Sequence, residues 1–203
     1  MLSLLIVHLD AAQIDSRRRP LHPYMVHFPV AFFVTTQALD IIYGLSTHSS
    51  TASLVQSVYD TRPLLSDIGR MSYTLNTLGV LTAIPAVVTG GLQFQKLLKQ
   101  HQVLDKLKTA KSKEEKLNVI KNVHPKVKTA FVHALLNDII VVGAVWSWYS
   151  RTGNEMNAPT WLNILVSAAT APVLAFVVFL GGKMVFDYGV GVRVVRQGSS
   201  KEE

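Results

Sequence analysis

The chain has 203 residues, of which only 16% are charged, and its mean hydropathy is +0.28. Soluble domains carry about 25% charged residues, so this composition indicates a small polytopic membrane protein. The formal net charge is +7, but the basic residues lie between and beside apolar segments, which favours phospholipid headgroups over nucleic acid as the anionic partner. The chain contains no cysteine, which excludes disulfides, thiolate metal sites and cysteine-ligated iron–sulfur clusters.

Residues 1–20 are predicted to form a basic N-terminal arm. A short apolar stretch there is followed by Arg17, Arg18 and Arg19. No positive residue precedes that stretch, and Asp10 and Asp15 interrupt the segment, so it matches neither a secretory signal nor a mitochondrial presequence. We expect this arm to lie at a membrane interface.

Four apolar segments of membrane-spanning length follow. They cover about residues 23–45, 73–94, 129–149 and 161–182. About twenty mostly apolar residues suffice for a helix to cross a hydrocarbon core about 30 Å thick. The predicted fold class is therefore all-α, a four-helix up-down membrane bundle within residues 21–195, followed by a short tail at 196–203.

The distribution of basic residues predicts the orientation of the bundle. With four spans, the N-terminus, the loop after span two and the C-terminal tail share one side and carry seventeen of the twenty basic residues. The opposite side has only Arg62, Arg70 and Arg151. Basic residues near span ends are retained on the cytosolic side, or the matrix side of a mitochondrial membrane, so we expect both termini there.

A lysine-rich insert, 95–128, separates spans two and three. Its apolar residues recur at helical spacing, which predicts two short helices broken near Thr109 to Lys113. The insert is interpreted either as an amphipathic hairpin on anionic lipid or as a solvated linker with ordinary positive-inside charge. The Ser/Thr-rich loop 46–70 on the other side carries no recognisable motif.

Ionisable residues occur inside only two of the spans, and two of them are histidines at matching depth. His27 and His133 each lie about 6 Å inside the basic face, on helices expected to be diagonal in the bundle. At the same level the other two helices contain the pairs Gly90–Gly91 and Gly181–Gly182, which leave space between backbones. Asn137 lies one turn after His133 and is placed to orient a ligand.

This arrangement predicts a cofactor site, with three interpretations open. Two axial imidazoles beside glycine-walled space suit haem b and electron transfer with a redox partner. A metal ion such as Zn²⁺ needs three or four ligands, so it fits only if His22 joins His27 and His133. The third interpretation is structural, with the histidines bonding to neighbouring helices and the glycines allowing close packing.

Asp40 and Asp138 add a second hypothesis. They lie about 25 Å and about 14 Å deep, so with the histidines they form a ladder typical of proton relays, which suggests proton-coupled or metal transport. The ladder is weakened because Asp40 lies about 220° around the helix from His27. We therefore favour a hydrated Asp40 near the far interface. A non-catalytic assembly subunit is the remaining alternative, and no hydrolase, transferase or dinucleotide motif settles whether the protein is an enzyme.

The chain resembles a widespread family of four-helix membrane proteins that is classed as a domain of unknown function. The likeness covers about residues 21–195 and is carried by HPYMVHFPV from His22, Thr89–Gly90, HALLN from His133 and GGKMVFDYGVGV from Gly181. Some bacterial relatives are joined to a Rieske-type iron–sulfur domain. The resemblance thus implies a membrane bundle near electron transfer, which favours haem.

Overall fold

The computed structural model describes residues 21–190, and every regular element in that range is helical. The elements are α1 (Leu21–Thr47), α2 (Ala52–Val58), α3 (Leu65–Gln100), α4 (Val103–Thr109), α5 (Lys113–Lys121), α6 (Pro125–Arg151) and α7 (Trp161–Phe186), with 3-10 turns at Arg62–Leu64 and Glu155–Asn157. The all-α fold class is confirmed. The predicted N-terminal arm and C-terminal tail lie outside the described residues.

The four predicted spans are confirmed as α1, α3, α6 and α7, each long and apolar enough to cross a membrane. All four helices extend beyond the predicted spans, and α3 extends furthest. Hydropathy detects only the apolar part of a helix, whereas the helix itself continues into polar sequence at the membrane surface. The expected orientation, with both termini on the basic side, stays a prediction.

The four long helices form a bundle in which α1 and α6 occupy opposite corners. Helix α1 packs against α3 and α7, and α6 packs against the same two helices. A buried cluster at the centre takes residues from all four: Phe33, Ala83, Ile140, Leu174 and Val177. The diagonal placement predicted for the two histidine-bearing helices is therefore observed.

The outer surface of the bundle is apolar. Phe28, Ile139, Val142 and Phe179 are among many large hydrophobic side chains that are half or more exposed. Exposure of this extent is unsuited to water but matches lipid tails, which explains why so few of the apolar residues are buried between helices.

The lysine-rich insert forms the two short helices expected, α4 and α5, separated at residues 110–112. A second buried cluster joins the insert to the end of the bundle: Leu97, Val103, Val127 and Ala130, with Leu107 and Val123 packed against them. The insert is therefore folded onto the bundle end rather than extended.

One close contact in the core depends on glycine. A Cβ built at Gly79 would lie 2.5 Å from Cε1 of Phe33, which is closer than two carbons can approach. We expect Gly79→Ala to displace the Phe33 ring and to lower the unfolding free energy by about 1–3 kcal/mol, the usual cost of overpacking. Thermal unfolding in detergent measures this, and Gly182→Ala, where a Cβ meets nothing within 4 Å, is the matched control. Equal melting temperatures for the two variants would contradict the prediction.

Candidate functional site

A cavity of about 380 Å³ lies between the four long helices at the end of the bundle that carries the insert. Its walls are mostly apolar and include Phe33, Ala86, Phe94 and Leu174. Two histidines line it, His22 from α1 and His133 from α6. The diagonal helices thus bring two imidazoles to one mainly apolar chamber.

Hydrogen bonds define which nitrogen of each histidine is free. His133 Nδ1 lies 3.1 Å from the carbonyl oxygen of Val177, which can only accept, so this nitrogen carries the proton. His22 Nδ1 lies 3.1 Å from the Thr89 hydroxyl. That hydroxyl also lies 2.8 Å from the carbonyl oxygen of Pro85, and when it donates there it accepts from His22. With this hydrogen bonding, the neutral form of each ring has an unprotonated Nε2 with its lone pair available.

Each histidine ring is packed against a glycine of the neighbouring helix. A Cβ at Gly90 would lie 2.8 Å from Cε1 of His22, and a Cβ at Gly181 would lie 3.2 Å from Cε1 of His133. Any side chain at these positions would displace the imidazole. At Gly91 and Gly182 a Cβ would meet nothing within 4 Å, so only one glycine of each predicted pair makes room for a ring.

The structure does not bring His27 to His133. The His27 side chain is exposed and is not part of the cavity wall, whereas His22 takes the expected place. Five residues separate the two histidines, about 140° around the helix, so only one of them can face inward. Asn137 lies on the cavity wall as expected, and its side-chain amide donates to the carbonyl oxygen of His133 at 2.8 Å.

The cavity does not provide the ligand set of an ordinary metal site. Among residues 21–190, no cluster of three or more histidine, cysteine, aspartate or glutamate side chains could hold a metal ion. Because His27 points away, the tentative set of His22, His27 and His133 is not assembled. Two imidazoles alone match axial ligation of a planar cofactor better than tetrahedral zinc.

The other end of the bundle contains a buried ion pair. Arg151 Nη1 lies 3.2 Å from Asp40 Oδ1, and both side chains are fully buried. Ser167 donates to Asp40 Oδ2 at 2.7 Å, Ser72 donates to Oδ1, and the carbonyl oxygen of Asn157 accepts from Arg151 Nε at 3.0 Å. The hydrogen bonds therefore satisfy both charges without water.

This ion pair corrects two expectations from the sequence. The expected hydration of Asp40 is wrong, because Arg151 folds into the bundle and neutralises the carboxylate there. Arg151 itself is not a surface charge of the far side. Asp138 lines the histidine chamber with an exposed side chain, as part of the predicted ladder requires. His27 lies outside the chamber and Asp40 is paired with Arg151, so the four ionisable residues do not form a continuous ladder.

A second, much smaller cavity of about 20 Å³ lies between the ion pair and the histidine chamber. Its walls include the polar side chains of Gln37, Asn76 and Thr170 among apolar ones, and it has room for one water molecule. The Gln37 amide donates to the Thr170 hydroxyl at 3.1 Å. Phe33 and Ile140 line both cavities and thus separate them.

The part of the chain that matches a known family includes both the ion pair and the histidine chamber. Residues 18–194 match the model of a family described as predicted membrane protein. The chain belongs to the DUF2231 family. Searches of curated proteins and of solved structures found no match. The resemblance noted from the sequence motifs is thereby confirmed at the level of a membrane-protein family.

One sequence signal in this DUF2231 protein identifies the inward-facing residues. Eighteen residues, which is five helical turns, separate His22 from Asp40 and His133 from Arg151. The same spacing separates Ser72 from Gly90 and Asn163 from Gly181. Residues five turns apart share a helix face. Had Asp40 been predicted to face inward, this spacing would have predicted that His22, rather than His27, faces inward as well.

We expect Asp40→Ala to destabilise the DUF2231 bundle strongly, because it leaves Arg151 as an uncompensated buried charge. Breaking such a pair from one side costs about 3–5 kcal/mol, whereas replacing both partners is often nearly neutral. Thermal or denaturant unfolding in detergent should therefore show a large loss for Asp40→Ala and a partial recovery when Arg151→Leu is added. Asp138→Ala, at the exposed carboxylate, is the control and should be close to wild type. An equally stable Asp40→Ala variant would contradict this assignment.

Proposed function

We propose that the chamber binds haem b through Nε2 of His22 and of His133, and that the protein transfers electrons to or from a redox partner. The observation that carries this proposal is the placement of the two imidazoles. Nδ1 of each ring lies 3.1 Å from an oxygen that can accept its proton, and a neutral ring that donates there has its other nitrogen free beside the same chamber. Axial ligands of haem require this tautomer.

The shape of the site supports the same proposal. The chamber volume of about 380 Å³ falls within the range of about 300–1,000 Å³ typical of cofactor pockets. The ligands come from diagonal helices, which suits a flat ring bound from both faces. Gly90 and Gly181 leave the space that the two imidazoles occupy. Mostly apolar walls favour a macrocycle that is itself mostly apolar.

The residues of this chain have separable roles in the proposal. Haem supplies reversible one-electron chemistry when it is bound. Thr89 and the Val177 carbonyl hold the imidazoles in orientation and, by accepting the Nδ1 protons, increase the basicity of Nε2. The apolar walls exclude water, and low local polarity is one of the factors that set a haem reduction potential.

Proton-coupled or metal transport has less support. Asp40 is bonded to Arg151 and two serines inside the bundle, so it is not free to exchange a transported ion. Asp138 lines the histidine chamber, but its side chain is exposed and it lies about 220° around α6 from Arg151. A membrane assembly subunit remains the alternative if the purified protein shows neither a haem spectrum nor flux.

We expect His22→Ala and His133→Ala each to lose the Soret band of protein purified from haem-replete cells, because each removes one axial ligand. His27→Ala is the matched control and should retain the band, since its side chain is exposed outside the chamber. Visible absorption normalised to protein concentration measures the effect. Colourless, well-folded wild-type protein would contradict haem binding, and loss of the band in His27→Ala would instead assign ligation to His27.

Adding a methyl group at Gly181 should weaken haem binding by displacing the His133 ring. The usual cost of overpacking, about 1–3 kcal/mol, corresponds to a roughly 5- to 150-fold lower affinity. Gly182→Ala, one residue further along the same helix, adds the same methyl group into open space and should bind as wild type. Haem titration of the two purified apoproteins gives this comparison, and equal affinities would exclude the proposed contact.

A further inference from the structure

The outer face of α5 is a part of the insert that does not pack against the bundle. Leu117 is 54% exposed and Ile120 is 56% exposed, and they lie three residues apart on one side of the helix. Val119, on another side, is partly covered by the protein. The two apolar side chains therefore point away from the chain that supports the helix.

Lysines surround this apolar pair. Lys113 lies one turn before Leu117, Lys116 one turn before Ile120, and Lys121 one turn after Leu117. Glu115, two residues before Leu117, does not pair with these lysines. Its carboxylate caps the helix by accepting from the backbone N–H of Lys111 at 2.7 Å. Glu114 lies three residues before Leu117 at the edge of this face. The face thus combines two aliphatic side chains with three positive charges and one negative charge.

The last residue of α5 and residues that flank the insert contact each other and the membrane helices. Lys128 of α6 donates to the carbonyl oxygen of Lys121 at 2.7 Å, and His101 stacks on His124 with ring centroids 4.9 Å apart. Val123 packs against the buried cluster that contains Leu97. These contacts hold α5 at the end of the bundle where α3 ends and α6 begins, which is the level of a bilayer surface.

We propose that this face of α5 rests on anionic phospholipid, with Leu117 and Ile120 inserted beneath the headgroups and Lys113, Lys116 and Lys121 bound to phosphates. An amphipathic segment binds an anionic bilayer by burying apolar area and by attraction between its positive charges and the anionic lipids. Two aliphatic residues are too little area for a stable protein interface. The sequence pattern suggested a lipid contact along the whole insert, but Leu107 of α4 packs on the bundle, so the contact is confined to α5.

The absence of cysteine in this chain allows a direct test with single nitroxide labels. Four variants of the full-length protein are labelled at introduced cysteines, Leu117→Cys and Ile120→Cys on the proposed face and Asn118→Cys and Asn122→Cys away from it. Each is reconstituted in nanodiscs of phosphatidylcholine alone and of phosphatidylcholine with phosphatidylglycerol. Spin-label accessibility to oxygen and to a water-soluble nickel chelate reports immersion in lipid.

In the anionic nanodiscs we expect labels at 117 and 120 to become severalfold more accessible to oxygen than to nickel, while labels at 118 and 122 stay accessible to nickel. Replacing Lys113, Lys116 and Lys121 with Gln should return labels 117 and 120 to water. Equal nickel accessibility at all four positions in both lipids would overturn the proposal. Immobilisation of labels 117 and 120 that increases with protein concentration would also overturn it, because it would indicate that the face contacts a second copy of the chain. The test is independent of haem.

Discussion

The ion pair between Asp40 and Arg151 determines how the two diagonal helices are rotated about their own axes. Both charges are buried in the bundle, and leaving either of them unpaired costs about 3–5 kcal/mol. Helix α1 must therefore turn Asp40 inward, and α6 must turn Arg151 inward. Because five helical turns separate these residues from His22 and His133, the same rotation directs both imidazoles into the chamber at the other end.

The two halves of the bundle repeat one arrangement. The first helix of each half, α1 or α6, has a histidine at one end and a buried charge at the other. The second long helix, α3 or α7, has a glycine at the level of the histidine and a polar residue at the level of the charge. His22 packs against Gly90, and His133 packs against Gly181. The chamber consequently has a ring from each half on opposite sides. The halves differ in the sign of the buried charge, which lets them pair with each other instead of repelling.

The two ends of the bundle differ: one is filled by the ion pair and its hydrogen-bond partners, and the other contains the chamber. Around the ion pair, hydroxyl and backbone groups satisfy every charged atom, so this end acts as a fixed clamp. Phe33, seated against Gly79, divides the small polar cavity from the larger chamber. Rigid packing at this end therefore helps to position His22 and His133 at the other end, as the haem site that we propose requires.

Hydropathy and charge in the sequence determined the four spans, the all-helical class and the break inside the insert, because burial in lipid requires long apolar helices whatever their neighbours are. The diagonal placement of α1 and α6 followed from the up-down order of four consecutive spans. The rotation of each helix did not follow, since lipid accepts apolar residues on every face and hydrophobic periodicity is weak. Only tertiary structure paired Arg151 with Asp40, and that pairing selected His22 over His27 for the chamber.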